Sequence, residues 1–234
     1  MMSVDQMNAI DFIKTLVFSF VTLFPVVNPI GDAPIFLSLT RQYPQEARKI
    51  LARKIAAYGF ALLAVSTLFG SEILAFFGIT LGVIQIAGGL VVATTGWSLL
   101  NKPDTSAAQE APGTLEDAES HAFYPLTLPI TVGPGCISIA ITIGAHIRHQ
   151  AGSGFEHGYP VRLVASLAGM FLLCILVWLC YWYADRLTRV LGKSGTNILT
   201  RLSAFILLAI GVQIMWHGLA STLREILPNL PHTP

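Results

Sequence analysis

Charged side chains are scarce in this sequence. They make up 12% of its 234 residues, whereas they form about a quarter of an ordinary soluble domain. The 14 basic and 13 acidic residues nearly balance, which gives a formal net charge of +1. A nucleic-acid-binding surface needs a concentrated excess of basic residues, and the sequence has none. The composition therefore excludes an ordinary soluble domain and argues against a nucleic-acid partner.

Cysteines and catalytic motifs are also sparse. The three cysteines lie inside apolar stretches, which predicts buried thiols rather than disulfides or metal ligands. The sequence lacks the glycine-rich phosphate-binding motif of ATPases, and it offers no Ser–His couple or facing carboxylates at mid-membrane depth. We therefore expect neither an enzyme nor a cofactor. The first apolar run lacks a basic leader and a small-residue cleavage site, so we expect it to be retained.

Apolar residues are abundant and account for 53% of the chain. They form six long stretches, each reaching the roughly 20 residues needed to cross a hydrocarbon core. The stretches cover residues 12–39, 55–77, 81–100, 123–147, 163–184 and 202–223. This pattern predicts an all-α membrane protein with six transmembrane helices.

Basic residues are distributed unevenly between the two sides of these predicted spans. Ten lie on the side that holds the loops around 41–54 and 186–201, and four lie on the other side. The positive-inside rule then places these loops in the cytoplasm and both termini outside. Segment 101–121 carries one lysine and five carboxylates, which predicts a flexible acidic cytoplasmic linker between residues 1–100 and 122–234.

Prolines reveal an internal repeat of three spans. Three prolines in the first span recur one hundred residues later with the same spacing of four and then five. They are Pro25, Pro29 and Pro34 in the first copy and Pro125, Pro129 and Pro134 in the second. Because each copy has an odd number of spans, the second copy must enter the membrane inverted. Inverted repeats with matching interrupted helices are typical of secondary transporters whose site lies near the membrane midplane.

The prolines predict breaks in spans one and four, at 28–34 and 127–135, because proline removes a backbone donor and crowds the preceding turn. Irregular backbone is tolerated in a membrane only where it is buried in protein or lines a watery cavity. The Asp32 carboxylate is expected either to cap the next half-helix or to accept an ammonium group or a coupling cation. The candidate substrate-binding residues of this first break are Asn28, Pro29, Gly31, Asp32 and Pro34.

The second break has a different chemistry. Gly133, Pro134 and Gly135 offer no side chain to cap the half-helix that follows, so its N–H groups are a plausible seat for a carboxylate. Thr127 and Thr131 would supply hydroxyls beside it. Together the two breaks suit a zwitterion such as an amino acid. The alternative is that Asp32 is only a helix cap and the prolines only shape two kinks.

Two amides inside spans three and six are further candidates. Gln85 and Gln213 would contact substrate or, alternatively, form hydrogen bonds between helices. His217 is interpreted as an interfacial residue beside Trp216, with a proton-relay role as the alternative.

Four segments resemble the MarC family of bacterial inner-membrane proteins, also called neutral amino acid transporter-like or UPF0056-type. They are NPIGDAPIFLSLT, QIAGGLVVATTGW, PLTLPITVGPGCIS and RLSAFILLAIGVQ, and the resemblance extends over nearly the whole chain. It implies six spans, a relationship to the lysine exporter superfamily and a place in the bacterial inner (cytoplasmic) membrane. An archaeal relative is associated with small neutral amino acids. The signature positions are Asn28, Pro29, Gly31, Pro34, Gly133, Pro134 and Gly135.

These patterns together predict a secondary transporter of small neutral amino acids or similar metabolites, working by alternating access within membrane lipid. Proton and sodium gradients are both open as the driving force. A membrane channel, or a membrane protein that binds a partner without transport, remains the alternative, and an intramembrane enzyme is less favoured.

Overall fold

The structure is a computed structural model that describes residues 4–101, 121–150 and 158–226. Every element within these ranges is helical, and no strand occurs among them, as the all-α prediction requires. The expected linker lies outside the described residues except for its two end positions. The helices are α1 (Val4–Val27), α2 (Pro29–Leu39), α3 (Gln45–Phe76), α4 (Leu81–Asn101), α5 (Ala122–Thr131), α6 (Pro134–Gln150), α7 (Tyr159–Trp182) and α8 (Ala184–Ile226).

Five helical stretches in the described ranges are long and apolar enough to cross a membrane. They are Ala9–Leu37, Gln45–Phe76, Leu81–Asn101, Tyr159–Trp182 and Ser194–Arg224. They correspond to the first, second, third, fifth and sixth predicted spans. The region predicted as span four is divided between α5, which has 10 residues and is π-helical, and α6, which has 17. Neither piece alone has the length of a span.

The bundle has two ends, which we name by the chain segments found there. At the terminal face, α1, α4 and α7 begin and α3, α6 and α8 end. At the linker face, α2, α4 and α7 end and α3, α5 and α8 begin. Side-chain ion pairs join the two chain halves at both ends, with Arg162 bound to Asp11 at the terminal face and Arg48 bound to Asp185 at the linker face, each at 2.9 Å.

Contacts between helices run mainly from one half of the chain to the other. α1 packs on α7, and α5 packs on α3. In the same way α2 packs on α8 and α6 on α4, while α2 also contacts α7 and α6 also contacts α3. If α1, α2, α3 and α4 are exchanged with α5, α6, α7 and α8, respectively, each of these contacts becomes another contact of the same set. The halves are therefore intertwined rather than placed side by side.

The buried core lies mainly between α1, α2, α3, α6 and α7. Fully buried side chains fill it, among them Leu23, Leu51, Leu63, Met170 and Leu173. A hydrogen bond of 3.0 Å joins the hydroxyls of Ser19 and Ser166 across α1 and α7. Because lipid tails are as apolar as leucine, such close packing and interhelical hydrogen bonds hold membrane helices together.

Small residues let α4 and α8 cross at backbone contact, which is the most extensive helix pairing in the described residues. A Cβ atom placed on Gly89 would lie 2.6 Å from the carbonyl oxygen of Gly211, and one on Gly218 would lie 2.6 Å from the carbonyl oxygen of Gly82. One on Gly96 would lie 2.7 Å from the carbonyl oxygen of Ala204. The opposed positions run antiparallel, so a stripe of small residues on each helix forms the seam.

Filling this seam should destabilise the protein. We expect Gly211→Val to lower the apparent melting temperature in detergent by about 5 °C or more, because the new methyl groups meet the backbone of α4, which cannot move aside. Gly195→Val on the same helix is the matched control, since a Cβ there meets only Leu191 at 3.4 Å. Equal melting temperatures for the two variants would contradict the assigned seam.

Candidate functional site

The first break is a single residue, Asn28, between α1 and α2. Its backbone is left-handed, with φ 46 and ψ 54, which asparagine tolerates better than most residues. Its side-chain Oδ1 accepts a hydrogen bond of 3.3 Å from the Gly31 N–H and so caps α2. The cap predicted for Asp32 is therefore supplied by Asn28, and Asp32 lies within the first turns of α2.

The second break includes irregular backbone inside α5 as well as the residues between α5 and α6. Leu128 has non-helical backbone angles, with φ −109 and ψ 122, and Val132 and Gly133 separate α5 from α6. The Thr127 hydroxyl donates to the Ala122 carbonyl at 2.7 Å, and the Thr131 hydroxyl donates to the Leu126 carbonyl at 2.8 Å, so these bonds reach back five residues to buried positions. The first break is shorter than the predicted segment 28–34, since Pro34 lies inside α2, whereas the irregular backbone from Leu128 to Gly133 lies within the predicted segment 127–135.

One side chain contacts the helices on both sides of these breaks. The Tyr181 ring of α7 stacks on Phe36 of α2, with ring centroids 4.5 Å apart. Its hydroxyl is 2.9 Å from the Thr131 hydroxyl at the end of α5. Tyr181 is 3% exposed, and through it α7 contacts both α2 and the end of α5. Sequence reasoning missed it because an isolated tyrosine in an apolar span gives no positional signal.

The two breaks meet in a cavity of about 380 Å³, which we call the Asp32 cavity. Asn28 and Asp32 line it from the first break, and Gly133, Pro134 and Gly135 line it from the second. Thr95 of α4, Cys136 of α6 and Leu207 of α8 also border it. These five predicted residues therefore border one cavity, whereas the sequence pattern did not predict Thr95, Cys136 or Leu207 as neighbours of the site.

Asp32 is the acidic group of this cavity and is 7% exposed. No Lys, Arg or His is among the described residues that line the cavity. The four ion pairs within the described part of the chain all join other side chains. A carboxylate buried at membrane depth is costly unless it has a partner, which makes such a residue a candidate for ligand or ion binding.

A second cavity of about 550 Å³ lies toward the terminal face, and we call it the glutamine cavity. Gln85 of α4 and Gln213 of α8 line it, together with His146 of α6 and His217 of α8. The Gln85 Nε2 donates to the Thr142 hydroxyl at 3.2 Å, so this amide also forms the interhelical bond that was the alternative prediction. His217 lines the cavity rather than serving only as an interfacial residue.

A thin partition of α4 and α6 separates the two cavities. A Cβ on Gly88 would lie 2.6 Å from the Cβ of Ser138, and one on Gly135 would overlap the Val92 side chain. Val92 borders the Asp32 cavity, whereas Ser138 borders the glutamine cavity. The Ser138 hydroxyl donates to the Ile84 carbonyl at 3.1 Å and ties the two helices together.

The remaining predicted residues line neither cavity. Pro29, Gly31 and Pro34 belong to the cap and first turns of α2. Gly31 approaches α8 closely, since a Cβ there would lie 2.7 Å from the Ser203 hydroxyl. Thr127 and Thr131 are buried and donate to backbone carbonyls, so their contribution in this structure is to the π-helical segment.

The long apolar helices of membrane-spanning length define an integral membrane protein. Residues 13–223 match the family described as MarC family integral membrane protein. The chain belongs to this family, as its sequence motifs predicted.

Curated relatives cover most of the chain. It is 32% identical to a UPF0056 membrane protein of Archaeoglobus fulgidus over 88% of this chain and 92% of the relative. It is 32% identical to the UPF0056 membrane protein YvbG of Bacillus subtilis over 87% and 93%, respectively. It is 30% identical to the UPF0056 inner membrane protein MarC of Escherichia coli over 92% and 98%. No solved structure matches the chain.

The cap at the first break gives a test of its geometry. Asn28→Ala should destabilise the protein more than Asn28→Gly. Alanine loses the cap, worth about 1 kcal/mol, and is also strained at positive φ, whereas glycine adopts this conformation freely. Thermal unfolding in detergent would measure both variants against the unmodified protein. A more stable Asn28→Ala would contradict a left-handed capping residue here.

Proposed function

We propose that this protein is a secondary transporter that moves small neutral amino acids or similar metabolites across the cytoplasmic membrane by alternating access. The observation that carries the proposal is the pair of cavities on opposite sides of one partition. The glutamine cavity lies toward the terminal face and the Asp32 cavity toward the linker face, and close contacts of α4 with α6 lie between them.

The proposal includes six spans arranged as two inverted repeats, with α5 and α6 together forming the fourth span. The exchange pattern of helix contacts supports this arrangement, because a twofold axis in the membrane plane would generate it. The glutamine cavity lies among α1, α4, α6 and α8, and the Asp32 cavity lies among α2, α4, α8, the end of α5 and the start of α6.

The Asp32 cavity is the proposed substrate site. Asp32 would accept the ammonium group of an amino acid, or a proton or sodium ion that drives transport. The substrate carboxylate would face the start of α6. Its first N–H groups, on Gly135 and Cys136, have no carbonyl four residues back within the helix, and Pro134 has no N–H. A volume of about 380 Å³ accommodates a small amino acid with water.

Orientation follows from the basic residues of the loops. We propose that the linker face is cytoplasmic and that the terminal face, with both chain ends, is outside. Arg48 and Arg186 lie near the linker face, where they would remain in contact with water and lipid headgroups. The printed name of the Escherichia coli relative places that protein in the inner membrane.

Counterflow in proteoliposomes tests the proposal directly. Vesicles loaded with unlabelled alanine should take up external labelled alanine faster than empty vesicles, and uptake should saturate and favour one enantiomer. A saturating, stereoselective exchange is expected of a carrier. Uptake that rises linearly with concentration and shows no exchange would instead indicate a channel, and the carrier proposal would then be wrong.

The role of Asp32 gives a sharper prediction. Asp32→Asn should lower exchange about tenfold or more, because a neutral amide replaces a charge-assisted contact, while the protein remains folded. Glu46→Gln is the matched control, since its side chain is 80% exposed and lies outside both cavities. Equal exchange by Asp32→Asn and Glu46→Gln, at equal amounts of inserted protein, would remove Asp32 from the site.

A further inference from the structure

The glutamine cavity carries polar groups that the proposed substrate site does not use. Its volume of about 550 Å³ falls in the range of ordinary small-molecule sites, about 300–1,000 Å³. Phe18, Ile139 and Ile214 contribute to an apolar wall. The amides of Gln85 and Gln213 lie on helices that correspond to each other in the two halves of the chain.

Hydrogen bonds orient the Gln85 amide. Its Nε2 donates to the Thr142 hydroxyl at 3.2 Å, and that hydroxyl donates to the Ser138 carbonyl at 2.8 Å. An amide nitrogen has two N–H groups, so the second N–H of Gln85 is left to donate to a ligand. Gln213 presents a further amide to the same cavity.

A hydrogen bond orients the ring of His217. Its Nδ1 lies 2.8 Å from the Gln213 backbone carbonyl, which only accepts hydrogen bonds, so Nδ1 is the donor. The ring borders the cavity one helical turn from the Gln213 side chain.

The electrostatic surroundings favour an anion. No Asp or Glu is among the described residues that line the cavity. Two acidic side chains near this end are paired, Asp11 with Arg162 and Glu72 with Arg148. A smaller adjoining pocket is bordered by Lys14, Arg162 and His146. Besides His217, the charged and titratable groups near this end on the bordering helices are Asp5, Asp11 and Lys14 on α1, His146, Arg148 and His149 on α6 and Arg224 and Glu225 on α8, with none near this end of α4.

We propose that the glutamine cavity binds the carboxylate group of a small organic acid or amino acid. Gln85 and Gln213 donate hydrogen bonds to the carboxylate beside the ring of His217, and the apolar wall contacts the rest of the molecule. Its preference for charge is opposite to that of the Asp32 cavity. The assignment does not depend on transport, because it concerns binding at a separate place in the bundle.

Calorimetric titration of the full chain in lipid nanodiscs tests the binding with simple probes. Sodium propionate supplies a carboxylate without an amine, and n-propylammonium chloride supplies the amine without a carboxylate, both at constant ionic strength. The titration uses the Asp32→Asn variant, so that the proposed ammonium partner in the other cavity is absent. We expect saturable binding of propionate and no binding of propylammonium. Absent propionate binding, or equal binding of the two probes, would overturn the proposal.

Further variants assign the binding to this cavity. Gln85→Leu combined with Gln213→Leu should weaken propionate binding about tenfold or more, because leucine donates no hydrogen bond. His149→Gln is the matched control, because this exposed histidine lies in the last turn of α6 and borders neither cavity. Equal propionate binding by the double variant and the control would refute the site.

Two further measurements keep the test independent of variant folding and of transport. In the unmodified protein, propionate should protect His217, but not His149, from diethyl pyrocarbonate, as mapped by mass spectrometry. Equal modification of both with and without propionate would refute the site.

Asp32→Asn should retain propionate binding even where alanine exchange is lost. Normal exchange without propionate binding would therefore refute this site alone, and binding without exchange would refute the transport proposal alone.

Discussion

Backbone hydrogen bonding in lipid is the constraint on which this structure depends. A proline inside a span leaves a carbonyl without its usual donor, and hydrocarbon provides no water to replace it. The chain meets this constraint locally at both breaks. Asn28 caps α2 with its own side chain, whereas Thr127 and Thr131 donate to carbonyls five residues back. The irregular backbone that remains at the two breaks borders the Asp32 cavity.

The contacts between the two halves of the chain hold the breaks in position. Lipid gives little hydrophobic drive for helix association, so stability comes from close contact and buried hydrogen bonds. The glycine seam provides backbone contact along most of α4 and along the second half of α8. Tyr181 adds a contact to the helices at both breaks at once. Because most contacts join opposite halves, any movement of one break relative to the other must shift these interfaces together.

Much of this arrangement was predictable from the sequence, and the limits are physical. Proline spacing predicted that the helices are interrupted near Asn28 and before α6, since proline acts locally on the helix that contains it. The same reasoning made the first break too long and left the cap open to Asp32, because it did not anticipate that Asn28 would take a left-handed conformation. Contacts between helices could not be predicted from the sequence pattern. The role of Tyr181 and the shared cavity of Gln85, Gln213 and His217 depend on which faces of the helices pack together. The π-helical form of α5 likewise reflects hydroxyl–carbonyl bonds that composition alone does not specify.

The two cavities border successive turns of α6, and their proposed preferences for charge are opposite. Gly135 borders the Asp32 cavity, and Ser138, about one turn further along the helix, borders the glutamine cavity. Under the proposals above, a carboxylate bound by the amides of the glutamine cavity would be about one helical turn from the N–H groups of Gly135 and Cys136 at the start of α6. Movement across the partition would exchange side-chain donors for backbone donors. Among the described residues that line the two cavities, Asp32 is the one acidic partner for an ammonium group, so a zwitterion would gain its second contact after passing Val92. The partition would then separate a site that selects the acid group from a site that recognises the whole molecule.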